Sequence, residues 1–284
     1  MFEILDARQL ASDVKWFRIR APLVAKHRQP GQFIILRLSQ TGERIPLTIA
    51  HSDARQGFID IIVKAIGKTT IELCRKEKGD TISDIMGPLG RPTEIEKVGH
   101  AVVVGGGVGT AVIYPLARAL REAGNYVSAI TGGRTKELVV LEAELREVAD
   151  VVYATTDDGS YGFKGTVADK LKDLLADRER PIGAVYAAGP VPMMRAIVEL
   201  TRAPGIRTIV SLNPIMVDGT GMCGGCRVTV GGKPKFACVD GPEFDGHQVD
   251  FKELADRLTA YQQQERIALE RLLHPCRLEA AASR

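Results

Sequence analysis

The sequence has almost no net charge and no long apolar stretch. Lysine plus arginine exceed aspartate plus glutamate by only 38 − 35 = 3, and the two signs are interspersed. Such a balance gives no reason to expect nucleic acid as a partner. The longest uncharged run, 99–117, is broken by several glycines and by Pro115, and it falls short of the roughly 20 apolar residues that a membrane-spanning helix needs. We therefore expect no membrane span.

A secretory signal is also missing. Residues 1–10, MFEILDARQL, contain early acidic residues and no basic segment followed by an apolar run, so we expect a cytoplasmic protein. Hydrophobic residues make up 45% and charged residues 26% of the 284 residues, which is typical of soluble folded chains with two or three domains. In a reducing compartment its five cysteines are more typical of metal ligands than of disulfides.

The first segment, 1–98, has an all-β pattern. Short apolar runs at 33–36, 45–49 and 58–63 are separated by Gly and Pro signals, as in a small β-barrel. One helix is predicted, over Thr69–Lys76. The second segment, 99–203, alternates strands and helices, which predicts a parallel sheet covered by helices.

The boundaries of the second segment's elements follow from the same pattern. Strands are predicted over 101–104, 126–131, 151–155 and 184–188, and helices over 110–123, 138–148, 166–175 and 192–201. The third segment, 204–284, is predicted to contain a strand over 208–212, a Gly- and Cys-rich region, a helix over 251–273 and a frayed end. The sequence thus predicts three domains.

The strongest chemical signal is a set of four residues with the spacing Asp-x4-Cys-x2-Cys-x11-Cys: Asp218, Cys223, Cys226 and Cys238. Plant-type 2Fe-2S ferredoxins use Cys-x4-Cys-x2-Cys and a later Cys, so Asp218 stands where their first thiolate would be. The intervening glycines suit a loop that wraps a cluster. A Cys₃His zinc site with His247 remains an alternative, as does chance clustering of buried cysteines. Cys74 and Cys276 are expected to be packing or surface residues.

Two glycine turns follow buried strands and begin helices, at 105–110 and at 189–193. Backbone amides at such positions can bind a pyrophosphate. Thr110 stands where the standard dinucleotide fingerprint has its third glycine, and the next strand runs into Gly132, Gly133 and Arg134 without an acidic residue. The turns could instead serve only tight packing, and the polar loop at 156–158 could be a solvated turn.

The order of these parts resembles the ferredoxin-NADP reductase superfamily. A barrel, a nucleotide domain with GGGVGT and AAGPVPMM, and a ferredoxin-spaced cysteine set together resemble its dihydroorotate dehydrogenase electron-transfer-subunit branch, over nearly the whole chain. Within that branch, the run 212–223 resembles small (alpha) subunits of NADH-dependent reduced ferredoxin:NADP oxidoreductases, also called sulfide dehydrogenases. Dihydroorotate-linked members carry Cys where Asp218 stands.

The resemblance implies an FAD site in the barrel. Arg44 to Thr48 resembles the flavin motif Arg-x-x-Ser/Thr with one extra residue, which leaves its register open. By this likeness Thr48 would lie near the flavin N5, and Arg44 would pair with the pyrophosphate. Without the resemblance, Arg44 is better explained by a surface ion pair. The implied FAD-binding residues are Arg44, Pro46, Leu47, Thr48, Ile62, Val63, Lys64, Gly67, Thr69 and Thr70.

The resemblance also implies an NAD(H) site at the glycine turns. The implied residues are Gly105, Gly106, Gly107, Val108, Gly109, Thr110, Gly132, Arg134, Thr156, Asp157, Asp158, Gly189, Pro190 and Met193. Because NADH delivers a hydride and a 2Fe-2S cluster accepts single electrons, the flavin is implied as the converter between them. No side chain is expected to act as a catalytic acid or base.

The implied function is that of an electron-transfer subunit in a heterodimer or larger complex. Its partner would be a larger subunit with a second FAD and 4Fe-4S clusters, which would connect it indirectly to ferredoxin through electron bifurcation. Two alternatives remain: the electron-transfer subunit of a dihydroorotate dehydrogenase, and a zinc-stabilised nucleotide-binding module without redox chemistry.

Overall fold

The computed structural model describes residues 1–274. Cys276 and the expected frayed end lie outside the described residues. The strands are β1 (Phe2–Ala11), β2 (Val14–Arg20), β3 (Phe33–Arg37), β4 (Arg44–Thr48), β5 (His51–Asp53), β6 (Phe58–Lys64), β7 (Thr81–Ile82), β8 (Asp84–Leu89), β9 (His100–Gly106), β10 (Tyr126–Gly133), β11 (Val151–Thr156), β12 (Phe163–Lys164), β13 (Ala184–Ala188), β14 (Arg207–Ser211), β15 (Arg227–Val230), β16 (Lys233–Phe236) and β17 (Glu243–Asp245).

The helices are α1 (Pro22–His27), α2 (Lys68–Cys74), α3 (Thr110–Glu122), α4 (Glu142–Val148), α5 (Val167–Ala176), α6 (Val191–Arg202), α7 (Ala237–Asp240), α8 (Phe251–Leu258) and α9 (Gln262–Leu273). Short 3₁₀ turns cover Gly107–Gly109, Lys136–Leu138 and Gly246–Gln248. Within residues 1–274, none of the helices is long and apolar enough to cross a bilayer.

The N-terminal segment folds into a barrel of two antiparallel sheets, ordered β5-β6-β2-β1-β7 and β4-β3-β8. Alternating side chains point inward, since successive residues of a strand face opposite sides. Phe17 and Ile19 of β2 meet Ile34 and Leu36 of β3 in one fully buried core. The barrel expectation is confirmed, and the expected helix is α2.

One helix of the barrel, α1, was not expected from the sequence. Pro22 occupies its first turn, where the fixed φ of proline suits a helix and the missing N–H costs nothing. Val24 and Ala25 bury their side chains against the barrel core. Six residues are too few to show a helical period, so only this tertiary packing defines the helix.

The second sheet has the order β12-β11-β10-β9-β13-β14-β17, and its first six strands are parallel. After β9 the chain adds β10, β11 and β12 on one side and then returns to add β13 and β14 on the other. The order therefore reverses between β9 and β13, which is where open parallel sheets bind their ligands. β9 is buried along nearly its whole length, as expected for a parallel strand with both faces covered.

The C-terminal segment is interwoven with this sheet. β14 and the antiparallel strand β17 both join the nucleotide sheet, although they lie beyond residue 203. The division of the chain at residue 203 stays a prediction. The expectation of one continuous helix over 251–273 was wrong, because α8 ends and α9 begins on either side of Thr259–Tyr261. The Thr259 hydroxyl donates to the Asp256 carbonyl (2.7 Å), a local bond that competes with helix continuation.

Glu243 of β17 ties three parts of the chain together. Its strand is paired with Ser211 of β14, and its carboxylate accepts a hydrogen bond from the Thr93 hydroxyl (3.0 Å) in the link after the barrel. A side chain on Gly31, in the turn before β3, would lie 3.2 Å from the same carboxylate. Burial raises the pKa of Glu243 to about 7, although the Thr93 hydrogen bond opposes the shift.

This junction predicts a pH dependence of stability. Between pH 4.5, the ordinary carboxyl value, and about 7, the folded chain holds a proton that the unfolded chain releases, so stability falls as the pH rises through that window. The Glu243→Gln variant lacks this loss. As the pH rises across this window, the free energy of unfolding of the variant should increase relative to that of the wild type by up to about 3 kcal/mol. Urea unfolding at several pH values measures it, and parallel curves for the two proteins would contradict the expectation.

Candidate cofactor cleft and cysteine loop

A cleft of about 1050 Å³ opens between the barrel and the carboxyl edge of the parallel sheet. It lies at the reversal of strand order between β9 and β13. The predicted residues that line it are Pro46, Leu47, Thr48, Ile62 and Lys64 from the barrel, and Gly106, Gly107, Val108, Gly109, Gly132, Arg134, Asp157, Gly189, Pro190 and Met193 from the nucleotide side. The fold thus brings the two predicted nucleotide sites onto facing walls of one cavity.

The two glycine turns meet at atomic contact. A Cβ on Gly109 would lie 2.2 Å from the carbonyl oxygen of Ala188, at the end of β13. Gly105 leaves similar room for the start of α3, since its Cβ would lie 2.8 Å from the Thr110 backbone. Both the packing role and the ligand role considered for these glycines fit this geometry, because close backbone approach also exposes amide groups to the cleft.

Met193, in the first turn of α6, spans the two turns. A Cβ on Gly106 would lie 2.4 Å from the Met193 sulfur, and one on Gly189 would lie 2.7 Å from its methyl group. The thioether therefore rests directly on bare backbone at the cleft wall. Methionine suits such a place because its unbranched side chain adapts to the shape of a ligand.

An apolar contact joins the barrel to the nucleotide side next to the cleft. Trp16 of β2 packs in a small apolar cluster with Ala111 of α3 and with Val140 and Leu141 before α4. Leu141 has φ 60°, the left-handed region that leucine rarely adopts. Because this conformation carries strain, the packing of the loop against the barrel must stabilise it.

Several predicted flavin residues do not line the cleft. Arg44 is exposed at the start of β4, and among residues 1–274 it forms no ion pair, so the surface-pair alternative is not seen in the described residues. Val63 is fully buried in the barrel core. Thr69 donates to Glu43 (2.5 Å), and the Thr70 hydroxyl accepts from the backbone of Ile66 and Gly67 at the start of α2. The roles assigned to Arg44, Val63, Gly67, Thr69 and Thr70 stay predictions.

Four predicted NAD(H) residues also lie outside the lining: Gly105, Thr110, Thr156 and Asp158. The Thr110 hydroxyl is buried against Thr131 (2.9 Å), and that of Thr156 donates to the Tyr161 carbonyl (2.7 Å). The Asp158 carboxylate accepts from both the backbone and the hydroxyl of Ser160, and these bonds lower its pKa. Asp158 thus organises the turn, and Asp157 is the member of the pair that reaches the cleft.

Some lining residues were not predicted. The cleft is also lined by Ser211, the last residue of β14, and by Leu212, Asn213 and Pro214 directly after it. The rule that ligands lie beyond the carboxyl ends of parallel strands could have found them. Asp13 also lines the cleft. No sequence signal marks it, because its place depends on strand pairing within the barrel.

The segment between β14 and β15, 212–226, is called the cysteine loop, and it lies against the barrel beside the cleft. A Cβ on Gly219 would lie 2.6 Å from the side-chain end of Leu89 of β8 and 3.0 Å from that of Ile35 of β3, so the loop backbone lies directly on the barrel. The φ of Gly219, 76°, is also in the left-handed region. On the other side, Arg257 of α8 donates to the Gly225 carbonyl (3.1 Å). These contacts fix the loop between the barrel and the C-terminal helices.

The structure brings together the three predicted cysteine ligands, of which Cys223 and Cys226 lie in the loop and Cys238 lies in α7. The sulfurs of Cys226 and Cys238 are buried and lie 3.2 Å apart. The Cys223 sulfur accepts from the Gly225 N–H and the Cys226 sulfur from the Cys238 N–H, both at 3.4 Å. Such N–H groups aimed at sulfur are what an iron–sulfur cluster requires of its loop.

Asp218 is tied to the same loop. One oxygen accepts from the Thr220 N–H and the other from the Cys223 N–H, each at 2.8 Å. These two bonds lower the pKa of the Asp218 carboxyl, so it is ionised. The bond to the Cys223 N–H also places the carboxylate beside Cys223. In this structure its oxygens bind backbone, and the ligand role of Asp218 stays a prediction.

The Cys238 thiol is strongly non-acidic in the absence of a cation. Burial, together with the neighbouring Cys226 thiol, raises the pKa of Cys238 to about 12. In residues 1–274 no three His, Cys, Asp or Glu side chains converge closely enough to hold a single metal ion. His247, the alternative zinc ligand, instead hydrogen-bonds the Thr201 hydroxyl (3.1 Å) on α6. The three sulfurs and the donors around them fit a sulfide-bridged iron pair better than a Cys₃His zinc site.

Comparison with known proteins agrees with this geometry. Residues 213–250 match the iron-sulfur cluster binding domain of dihydroorotate dehydrogenase B, 1–93 an oxidoreductase FAD-binding domain and 103–199 an oxidoreductase NAD-binding domain. A Thermotoga maritima homolog of the dihydroorotate dehydrogenase B (NAD(+)) electron transfer subunit is 51% identical, over 95% of each chain. The subunit from Bacillus caldolyticus is 35% identical, over 87% of this chain and 96% of its own. The chain belongs to the family of dihydroorotate dehydrogenase B electron-transfer subunits.

Solved structures extend the comparison. A chain in the structure of an NADH-dependent reduced ferredoxin-NADP oxidoreductase, from a study of flavin-based electron bifurcation, is 50% identical, with a TM-score of 0.90 over 96% of this chain and 98% of that chain. The ferredoxin reductase of carbazole 1,9a-dioxygenase is 25% identical, with a TM-score of 0.61 over 72% and 64%. The expected superfamily, fold, and FAD, NAD and iron–sulfur domains of an NAD(H)-dependent oxidoreductase subunit are confirmed, and a 2Fe-2S type is consistent with this family.

The contact between Met193 and the glycine turns predicts a specific effect on nucleotide binding. In Gly106→Ala the new methyl group must push the Met193 side chain into the cleft, so NADH affinity should fall about tenfold, as expected for a cost near 1.4 kcal/mol. FAD content should not change. The double variant with Met193→Ala should regain most of the affinity. Fluorescence titration with NADH measures this, and unaltered binding in Gly106→Ala would contradict it.

The ligand role predicted for Asp218 can be tested by spectroscopy. Asp218→Cys should still assemble a cluster, but with altered EPR g-values and midpoint potential, because a soft thiolate replaces a harder oxygen donor. Asp240→Asn is the matched control, since Asp240 lies nearby but binds the Phe236 N–H (2.8 Å). If Asp218→Cys and the control both match the wild type, Asp218 is not a ligand.

Proposed function

We propose that this chain passes electrons between NAD(H), FAD and a 2Fe-2S cluster, to or from a larger partner subunit, in an electron-bifurcating ferredoxin:NADP oxidoreductase. The observation that carries the proposal is the adjacency of the cleft and the cysteine loop. Phe33 and Met216 line the cleft and belong to the same buried apolar cluster as Cys226 and Cys238. Electrons would therefore pass between sites that share one apolar cluster inside a single chain.

The residues of the chain bind and orient; none needs to transfer a proton as a catalyst. The amides of Gly107 and Gly109 and the start of α6 would hold the NAD(H) pyrophosphate. Pro46 to Thr48 would support the flavin on the facing wall, with Thr48 near its N5. The bound flavin supplies the chemistry of exchanging a hydride for single electrons.

Asp218, Cys223, Cys226 and Cys238 would hold the cluster, with the backbone amides of Gly225 and Cys238 donating to their sulfurs. Arg134 at the end of β10 would face the adenosine end of the nucleotide. The chain's similarity to the ferredoxin-NADP oxidoreductase structure over nearly its full length supports NAD(H) for this site.

A partner surface is supported by apolar side chains around the cysteine loop. Met222 is 89% exposed, and Val217 and Val239 are 45% and 39% exposed. Exposed apolar residues grouped beside a redox loop are typical of an interaction site. The partner proposed is a larger subunit with a second flavin and 4Fe-4S clusters, which would connect the chain indirectly to ferredoxin.

A second candidate is the electron-transfer subunit of a dihydroorotate dehydrogenase, favoured by the family of the relatives. Asp218 argues against it, because the resemblance described for the sequence implies a Cys at that position in dihydroorotate-linked members.

Anaerobic purification with the native partner tests the proposal. We expect a yellow-brown chain with about one flavin and two irons, bound to a larger iron–sulfur flavoprotein that reduces NADP with NADH and reduced ferredoxin. A Cys226→Ser variant should keep its flavin and lose its iron. A partner that oxidises dihydroorotate would favour the second candidate, and a colourless chain with one zinc would contradict both.

A further inference from the structure

Asp13 lies in the tight turn between β1 and β2, at the barrel wall of the cleft. Its position is set by the backbone. Its carbonyl accepts from the Ala65 N–H (2.8 Å), and the next residue, Val14, pairs with Lys64 in the β2–β6 ladder. The fold therefore holds Asp13 beside Lys64, although 51 residues separate them in the sequence.

The two side chains form an ion pair inside the cleft. The Asp13 Oδ2 and Lys64 Nζ atoms lie 3.4 Å apart, with side chains 35% and 31% exposed. Within residues 1–274 neither side chain forms another ion pair. The second oxygen, Asp13 Oδ1, is buried and finds no hydrogen-bond partner among the described residues.

This arrangement is unfavourable for a purely structural pair. A buried, unbonded carboxylate oxygen costs free energy, and a half-exposed ion pair returns little stability. The neighbouring barrel wall is apolar, with Val14, Ile62 and Ile66 lining the same cleft. In such surroundings charges interact more strongly than in water. The pair is therefore better suited to influencing the electrostatic potential in the cleft than to stabilising the fold.

We propose that Asp13 is a positioning residue that orients the Lys64 ammonium in the cleft and offsets part of its charge, and that it thereby lowers the potential of the flavin. The inference rests on the flavin contact proposed for Lys64. A free ammonium beside the ring system favours the reduced, more negative form, whereas an ammonium paired with a carboxylate favours it less. A less easily reduced flavin passes electrons on more readily.

The test compares flavin midpoint potentials from anaerobic redox titrations of holoprotein variants. Asp13→Asn keeps the shape of the side chain and removes its charge, so the flavin midpoint potential should rise. At a fixed potential, the ratio of reduced to oxidised flavin should increase about tenfold. Lys64→Met should lower the midpoint potential. In the Lys64→Met background, Asp13→Asn should shift the flavin midpoint potential by less than a third of the shift it causes in the wild type. The single variant Asp13→Glu, which keeps the charge, should have the wild-type midpoint potential. FAD affinity and melting temperature are recorded for every variant.

Asp6→Asn is the matched control, because Asp6 lies on the same strand and pairs with Arg8 (3.2 Å) away from the cleft; it should leave the midpoint unchanged. An unchanged midpoint in Asp13→Asn overturns the proposal, as does an equal shift with and without Lys64, which would mean that Asp13 acts on the flavin directly. If Lys64→Met changes neither the midpoint nor FAD affinity, the flavin contact of Lys64 itself is refuted, and the role of Asp13 with it.

Discussion

The arrangement of the whole chain depends on one shared apolar cluster at the meeting point of three segments. Phe33 of the barrel, Val104 of the nucleotide sheet and the sulfurs of Cys226 and Cys238 pack into the same buried core. Burial of this surface stabilises the contact in proportion to its area. The same cluster contains Phe33 and Met216, which line the cofactor cleft. The interaction that holds the segments together is thus the one that keeps their sites adjacent.

The cleft and the cysteine loop differ in the charges and hydrogen-bond donors that they offer to a cofactor. The cleft offers backbone amides and few charges, which suits dinucleotides that carry their own phosphates. The cysteine loop surrounds buried sulfurs with N–H donors and one ionised carboxylate, Asp218. Because burial and the neighbouring Cys226 thiol raise the pKa of Cys238 to about 12, the Cys238 thiol ionises only beside a strong cation, and iron would provide one.

Much of this was accessible from the sequence, because it rests on local pattern. β13 was predicted with its observed bounds, since a short apolar run between glycine signals leaves little choice. The cysteine spacing located its loop for the same reason. The break at Thr259–Tyr261 contains neither Gly nor Pro, and α1 is too short to show a period, so both depended on tertiary contacts. Asp13 was missed because its neighbour Lys64 is distant in the sequence. To predict that the FAD and NAD(H) sites share one cleft, the family resemblance was needed in addition to the sequence pattern.

The proposed function requires that the flavin carry electrons between the NAD(H) site and the cysteine loop of this chain. Freeze-quench EPR after anaerobic mixing with NADH tests it most directly, using the purified chain with its FAD and the same chain stripped of FAD. We expect a reduced 2Fe-2S signal in the FAD-loaded chain and none in the stripped one. A cluster that NADH reduces equally well without FAD, or that it never reduces in the loaded chain, would contradict it.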